Sequence, residues 1–159
     1  MLERDLVHIV VAALQRDFPT AVVQKNHGEQ FQQKGRPDLE GSIYGRHFVL
    51  ELKAGSYPST IQQTTISRYS KAGSITGLIV YHENSDGIYY VHPNLCKKFS
   101  YRDVKQYTKI GGSIDGSSID GSKTKSTYSC STRFLWTWVG EAYMFYVSPQ
   151  EVWDIYSGR

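Results

Sequence analysis

Residues 35–55 read GRPDLEGSIYGRHFVLELKAG, and this stretch predicts a β-hairpin. Apolar residues flank the dipeptide Tyr44-Gly45, which suits a two-residue turn between antiparallel strands. Pairing about that turn places Asp38 opposite Glu51. Because strand side chains alternate between faces, the apolar residues would share one face: Leu39, Ile43, Phe48, Leu50 and Leu52. The opposite face would then carry Asp38, Glu51 and Lys53 together.

Helices and strands alternate around this hairpin. Leu2 to Leu14 has apolar residues at three- and four-residue spacing, which predicts an amphipathic helix that ends before Pro19. The other predicted elements are a strand over 21–24, a loop over 25–36, a helix over 59–72 that stops at Gly73, a strand over 77–82, a turn at Asp86-Gly87 and a strand over 88–92. This order predicts an α/β fold with a mixed central β-sheet flanked by helices.

The remaining sequence predicts an extension with further strands. Ser100 and Asp103 could open a short helix that runs through Lys109. SIDGS occurs at 113–117 and again at 118–122, so we expect a flexible Gly/Ser loop over 111–127; its spacing lacks the ligand set of a known calcium loop. Strands over 134–139 and 142–147 and a helix over 149–156 would follow. We expect one domain over 1–159, with a catalytic core over 1–92 and an extension over 93–159.

Composition excludes several classes of protein. The chain has 159 residues, of which 40% are hydrophobic and 21% charged, as in a soluble globular domain. Its two cysteines form no CxxC motif, which argues against a zinc site and a disulfide framework. No apolar run approaches the ~18 residues that span a bilayer. We therefore expect an intracellular, cytoplasmic protein, and the net charge of +3 permits a nucleic-acid partner without requiring one.

The polar face of the hairpin suits metal-dependent hydrolysis of a phosphodiester. Asp38 and Glu51 could each supply a carboxylate to Mg²⁺, and the backbone carbonyl of Leu52 could be a third ligand. Lys53 could orient the attacking water or offset charge on the phosphate. A Glu-x-Lys strand is also common as a solvated face, and Pro-Asp is common at turns. The position of Asp38 opposite Glu51 favours the catalytic interpretation.

These residues also carry a resemblance to a known family. GRPDL at 35–39, FVLELKAG at 48–55 and a following Gln-containing helix that ends in Ala72-Gly73 together resemble the VRR-NUC family of PD-(D/E)XK nucleases. The resemblance covers about residues 3 to 82. It implies a restriction-endonuclease-like core like that of Holliday-junction resolvases. Asn26 and Gly28 match an asparagine and a glycine that precede the Asp motif in that family.

The resemblance implies specific roles for five residues. Asp38 and Glu51 would be metal ligands, and Lys53 would be the catalytic lysine. Glu3 and Gln62 would be supporting active-site groups, with Glu3 near the metal and Gln63 as the second choice for the glutamine. Mg²⁺, for which Mn²⁺ could substitute, would be the cofactor, with no nucleotide cofactor. The substrate would be branched, flapped or Holliday-junction DNA, and a symmetric junction would require a homodimer. The compact form and the lack of partner domains suggest a phage or mobile-element protein.

A basic cluster in the extension could hold DNA. If residues 98–109 form one helix, four basic residues fall on one side: Lys98, Arg102, Lys105 and Lys109. Such a stripe could neutralise phosphates, although solvated basic helix faces are common. Some of the twelve tyrosines could stack on unpaired bases, but most alternate as core strand residues do. Two alternatives stay open: a DNA-binding or assembly module that does not cleave, and a nuclease that acts on RNA.

Overall fold

The computed structural model describes residues 1–26, 36–114 and 127–139. The predicted strand over 142–147, the predicted helix over 149–156, Gly28 and most of the predicted Gly/Ser loop lie outside the described residues. No helix in the described ranges is long and apolar enough to cross a membrane.

One mixed sheet of seven strands organises the described residues. In chain order the elements are α1 (Glu3–Asp17), β1 (Val22–Lys25), β2 (Leu39–Ile43), β3 (Arg46–Ala54), α2 (Thr60–Lys71), β4 (Ile75–His82), β5 (Gly87–Val91), two 3₁₀ helices (Pro93–Lys98 and Tyr101–Gln106), β6 (Thr108–Ile114) and β7 (Thr127–Cys130). Sheet neighbours follow chain order, and β3 and β4, which α2 connects, form the one parallel pair among these strands. The predicted α/β class with a mixed sheet and flanking helices is confirmed.

The β2–β3 hairpin has the predicted register. Tyr44 and Gly45 both have positive φ, 50° and 78°, as a two-residue turn that matches the twist of the strands requires. Leu39 pairs with Leu50, and Ile43 pairs with Arg46. All apolar residues assigned to one face are fully buried there: Leu39, Ile43, Phe48, Leu50 and Leu52.

Each face of the sheet packs against its own helical layer. On one face, the buried residues of α1 join those of the hairpin in the larger hydrophobic cluster, including Leu6, Val10 and Leu14. On the other face, Ile66 of α2 packs with Leu78 and Val80 of β4 and with apolar residues from the segment that holds the 3₁₀ helices. The strand β3 therefore lies between two cores, and residues on either face of it are screened from water.

The residues after β5 are integrated into the same core. Ile110, Cys130 and Leu135 belong to the cluster that contains α1. The Asp17 carboxylate accepts hydrogen bonds from both the backbone N–H and the hydroxyl of Thr132, each at 2.8 Å. The segment that we expected to be an extension of the catalytic core is thus continuous with its sheet and its hydrophobic cluster.

Three predictions for this segment are wrong. No single helix spans 100–109, because Asp103 departs from helical φ and ψ and β6 begins at Thr108. Residues 111–114 form a strand rather than a loop. The reason is that Gly111 lets β7 approach closely, whereas a Cβ at this position would collide with the Ser129 carbonyl oxygen. Residues 135–139 are helical rather than a strand. Leu135 and Val139 are both buried and lie four residues apart, which is the spacing of one helix face rather than the two-residue alternation of a strand.

We expect Gly41→Ala to destabilise the fold by about 3 kcal/mol. A Cβ at Gly41 would overlap the backbone carbonyl oxygen of Val22 in the neighbouring strand β1, which cannot rotate away as a side chain could. Urea unfolding measures this change, with Ser42→Ala on the same strand as the matched control. An unchanged free energy of unfolding for Gly41→Ala would contradict this close β1–β2 approach.

Candidate active site

Four charged side chains converge around the carboxyl end of β3. Glu51 and Lys53 lie on this strand, Asp38 immediately precedes β2, and Glu3 is the first residue of α1. The Lys53 ammonium lies 4.0 Å from a Glu3 carboxylate oxygen. The charges of Asp38, Lys53 and Glu3 all act on the pKa of Glu51, which shows that the four groups are close together. These are the residues that the sequence predicted, apart from Gln62.

Glu51 is a buried carboxyl group without a hydrogen-bonding partner. Only 1% of its surface is exposed, and no group among the described residues makes a hydrogen bond with either side-chain oxygen. Burial first, and then the negative charge of Asp38, raise the pKa of Glu51 to about 9. Without a cation, this carboxyl therefore holds a proton at neutral pH. Buried polar groups normally have partners, so the exception indicates a ligand that these oxygens would bind.

Pro37 and Asp38 end the ladder between β2 and β3. An Asp38 carboxylate oxygen accepts a hydrogen bond from the backbone N–H of Leu52 at 2.9 Å. Continuing the hairpin register would place Pro37 opposite Leu52. Because proline has no N–H, it cannot donate to the Leu52 carbonyl as another residue at this position would. The Leu52 carbonyl, which the sequence predicted as a metal ligand, therefore receives no hydrogen bond from residue 37.

Asn26 holds the Pro37-Asp38 segment in place. Its side-chain amide donates to the Pro37 carbonyl at 2.8 Å and to a Glu40 carboxylate oxygen at 2.9 Å. Its backbone N–H donates to the Asp38 carbonyl at 2.9 Å. Asn26 is only 8% exposed, so these bonds are shielded from water. The resemblance to the family included Asn26 but implied no role for it. In the structure, Asn26 fixes the backbone on which Asp38 stands.

The Lys53 side chain is mostly buried and its ammonium lies near the Glu3 carboxylate. Its side chain is 13% exposed, whereas that of Glu3 is 40% exposed. Partial burial raises the pKa of the Glu3 carboxyl, the Lys53 charge lowers it, and Asp38 raises it. Glu3 therefore faces the same cluster from the first turn of α1. Its contact with Lys53 restrains the ammonium beside Glu51.

The structure gives Gln62 a different contact from the one predicted. Its side-chain oxygen accepts from the Ser59 backbone N–H at 2.9 Å, and its own N–H donates to the Ser59 hydroxyl at 3.2 Å. This reciprocal pair is a capping box at the start of α2. The Ser-x-x-Gln spacing was available in the sequence as a signal for it. The supporting role of Gln62 or Gln63 in the site stays a prediction.

The predicted basic stripe is distributed over three elements. Lys98 ends the first 3₁₀ helix, Arg102 and Lys105 belong to the second, and Lys109 lies in β6. All four side chains belong to exposed residues. They are available to solvent, but the prediction that they share one side of a single helix is wrong.

Tyr101 borders the charged cluster, and nothing in the sequence singled it out. The Tyr101 hydroxyl accepts from the Gly55 N–H at 3.0 Å and donates to the Ser56 carbonyl at 2.9 Å. Burial raises the pKa of Tyr101 to about 12. The two hydrogen bonds of the Tyr101 hydroxyl connect the second 3₁₀ helix to the turn that follows Lys53. No pattern in the sequence indicates a contact between residues so far apart.

The donor set suits a hard cation that retains water. Within the described ranges, no three His, Cys, Asp or Glu side chains form a ready-made metal cluster. Mg²⁺ commonly uses one or two carboxylates and keeps several waters in its octahedral shell. Glu51, Asp38 and the Leu52 carbonyl would meet that requirement with oxygen donors alone. The two unbonded oxygens of Glu51 are the feature that such an ion would satisfy.

No model of a protein family matches the sequence, and no curated protein matches it. The function therefore has to be inferred from the chemistry of these side chains and their surroundings.

We expect Glu51→Gln to stabilise the metal-free protein by on the order of 5 kcal/mol at pH 8, because each pH unit above the pKa of the unfolded chain costs the wild type about 1.4 kcal/mol. The ordinary pKa of 4.5 applies to the Glu51 carboxyl in the unfolded chain, whereas it is about 9 in the folded protein. Ionisation of the unfolded state therefore lowers the free energy of unfolding progressively from pH 4.5 to pH 9. The neutral amide of the variant does not ionise, so the variant avoids this loss. The difference in free energy of unfolding between the variant and the wild type should therefore disappear towards pH 4.

Thermal and urea unfolding in EDTA at both pH values measure this difference. Glu83→Gln, at an exposed position, is the matched control and should show no such pH-dependent gain. A gain for Glu51→Gln that is equal at pH 4 and pH 8 would contradict the proton linkage. A further readout is Mg²⁺, which should raise the melting temperature of the wild type but not of Glu51→Gln.

Proposed function

We propose that this protein is a metal-dependent DNA endonuclease of the PD-(D/E)XK type, related to the VRR-NUC family. The observation that carries the proposal is the buried carboxyl of Glu51, which lacks a hydrogen-bonding partner in the described residues. Asp38 lies beside it and Lys53 follows two residues later on the same strand. A protein that only bound DNA would have no use for two carboxylates next to a phosphate.

Asp38, Glu51 and the carbonyl of Leu52 would hold Mg²⁺, with Mn²⁺ as a substitute. The bound ion would supply a water of lowered pKa and neutralise charge on the scissile phosphate. The Asp38 carboxylate is oriented by the Leu52 N–H, and Asn26 fixes the backbone on which Asp38 stands. These contacts keep the carboxylates in one geometry before substrate binds.

Lys53 would act directly on the reacting groups. Its side chain is mostly buried, and its ammonium stands 4.0 Å from a Glu3 carboxylate oxygen, which limits its movement. From this position it would orient the attacking water or stabilise the charge that develops on the phosphate oxygens. Glu3 would position Lys53 and, as the resemblance implies, contribute to the metal's surroundings.

The architecture supports this reaction class. β3, α2 and β4 form a parallel crossover unit, with the carboxylates on β3 and on the strand antiparallel to it. This arrangement is compatible with a restriction-endonuclease-like core. A branched, flapped or junction DNA is the preferred substrate by family analogy. A symmetric four-way junction would require two active sites and therefore a homodimer.

Cleavage of labelled DNA tests the central proposal. We expect the wild type to cut at least one of four-way junction, flap, single-stranded or duplex DNA with Mg²⁺ or Mn²⁺, and not in EDTA. Lys53→Ala should reduce the rate by roughly 100-fold or more, because it removes a cation from the site where charge develops. Lys71→Ala, at an exposed position at the end of α2, is the charge-matched control.

Binding without cleavage in every metal and on every DNA would overturn the nuclease proposal in favour of a binding module. Preferential cutting of RNA in competition would instead overturn the choice of DNA. Equal loss in Lys53→Ala and Lys71→Ala would show that charge in general, rather than the position of Lys53, matters.

The exposed basic residues lead to a separate prediction about binding. In the double variant Lys98→Ala with Arg102→Ala, the dependence of log affinity on log salt should become less steep by about two, because each lost phosphate contact removes roughly one unit. Fluorescence anisotropy over a salt series in EDTA measures this slope. Lys25→Ala with Lys71→Ala removes the same charge elsewhere. Identical slopes for the two double variants would contradict a DNA-binding role for Lys98 and Arg102.

A further inference from the structure

We propose that an aromatic ledge beside the active site, formed by Tyr57, Phe99 and Tyr101, stacks on an unpaired base of the substrate. Tyr57 is 56% exposed, so much of its ring is open to solvent. The ledge would select DNA with a single-stranded stretch next to the scissile phosphate. This inference rests on the proposed nuclease function and narrows its substrate class.

The three rings support one another. Tyr57 lies 5.5 Å from Phe99 and 5.2 Å from Tyr101, measured between ring centroids, and Phe99 lies 4.9 Å from Tyr101. Phe99 is buried at 8% exposure and forms the floor beneath the more exposed rings. Behind Tyr101, the His82 ring is nearly parallel to it at 6.0 Å. A ring held in this way can present a flat face at little further cost in conformational entropy.

The ledge is attached to the catalytic strand. Gly55 and Ser56 follow β3 directly, and both bind the Tyr101 hydroxyl. Gly55 has a φ of +89°, a conformation that turns the chain away from β3 and that L side chains rarely adopt. Tyr57 therefore lies four residues after Lys53, at the end of a short turn. The two residues before it, Gly55 and Ser56, are both fixed by hydrogen bonds to Tyr101. Because Gly55 and Ser56 directly follow the strand that carries Glu51 and Lys53, these hydrogen bonds place the ledge next to the carboxyl end of β3.

The surroundings of the ledge favour a nucleobase over an apolar partner. Lys97 and Lys98 precede Phe99, and Arg102 follows Tyr101, and all three are exposed. Aromatic rings next to exposed cations are the combination that binds single-stranded nucleic acid, in which bases stack while phosphates pair with the charges. In a continuous duplex the base faces are already stacked on one another. Only an unpaired or displaced base could therefore use Tyr57.

Equilibrium binding in EDTA tests the ledge without any cleavage. The probes are a labelled duplex with a single-stranded thymidine overhang and the same duplex with blunt ends. The wild type should bind the overhang DNA more tightly. Tyr57→Ala should weaken that binding by about tenfold, since one base stacked on an aromatic side chain contributes roughly this much, and leave binding to blunt DNA unchanged. Tyr57→Phe keeps the ring and should match the wild type.

Trp136→Leu is the control for loss of an exposed aromatic ring. Trp136 is 41% exposed and packs on Phe18 and Tyr44, near the turn at the opposite end of β3. It should leave both affinities unchanged. In a second readout, a 2-aminopurine in the overhang should be quenched by the wild type and by Tyr57→Phe, but not by Tyr57→Ala. Melting temperatures confirm that each variant is folded.

Three results would overturn the ledge: equal weakening of overhang and blunt DNA by Tyr57→Ala, unchanged binding of the overhang DNA by Tyr57→Ala, or no preference of the wild type for the overhang. These outcomes are separable from failure of the nuclease proposal. If the wild type cuts DNA but Tyr57→Ala binds as the wild type does, the nuclease stands and the ledge fails. If binding depends on the Tyr57 ring but no DNA is cut in any metal, the ledge stands as a binding site and the nuclease proposal fails.

Discussion

The turn at Tyr44-Gly45 determines the face of β3 on which each side chain lies. Both turn residues adopt positive φ, so the hairpin closes with Ile43 opposite Arg46 and its register cannot slip without losing that geometry. A slip of one residue would exchange the two faces of a strand. The acidic and basic side chains would then enter the core packed against α1, and the apolar ones would leave it. Both the stability of the sheet and the existence of the charged cluster depend on this one register.

The same register imposes an unfavourable burial on the fold. β3 lies between two hydrophobic layers, and Glu51 is therefore almost fully removed from water without a hydrogen-bonding partner in the described residues. Its raised pKa reflects that cost. Strained or poorly satisfied groups of this kind are typical of sites whose geometry is kept for function rather than stability. Asn26 and the Leu52 N–H hold Asp38 in position beside it, and the negative charge of Asp38 adds to the cost of ionising Glu51.

The segment after β5 completes the site from a distance. Tyr101 fixes the turn that follows Lys53, and Thr132 bonds to the end of α1, the helix that begins with Glu3. Residues that at first looked like an appended extension therefore stabilise both elements that border the charged cluster. The ring of Tyr57 owes its position to the same contacts. The geometry of the charged cluster and the proposed base contact thus depend on the same set of interactions.

Local patterns in the sequence were sufficient for the hairpin, its register, the buried face and the grouping of Asp38, Glu51 and Lys53. Alternation of period two and a two-residue turn involve neighbours along the chain, so no distant contact was needed to predict them. Only the tertiary structure showed that Glu51 is buried without a hydrogen-bonding partner among the described residues, and that the basic residues lie on three elements. It also showed the contacts of Asn26 and Tyr101. These features depend on packing between elements far apart in the chain. Gly55 and Tyr101, for example, are 46 positions apart, and no periodic pattern in the sequence links them.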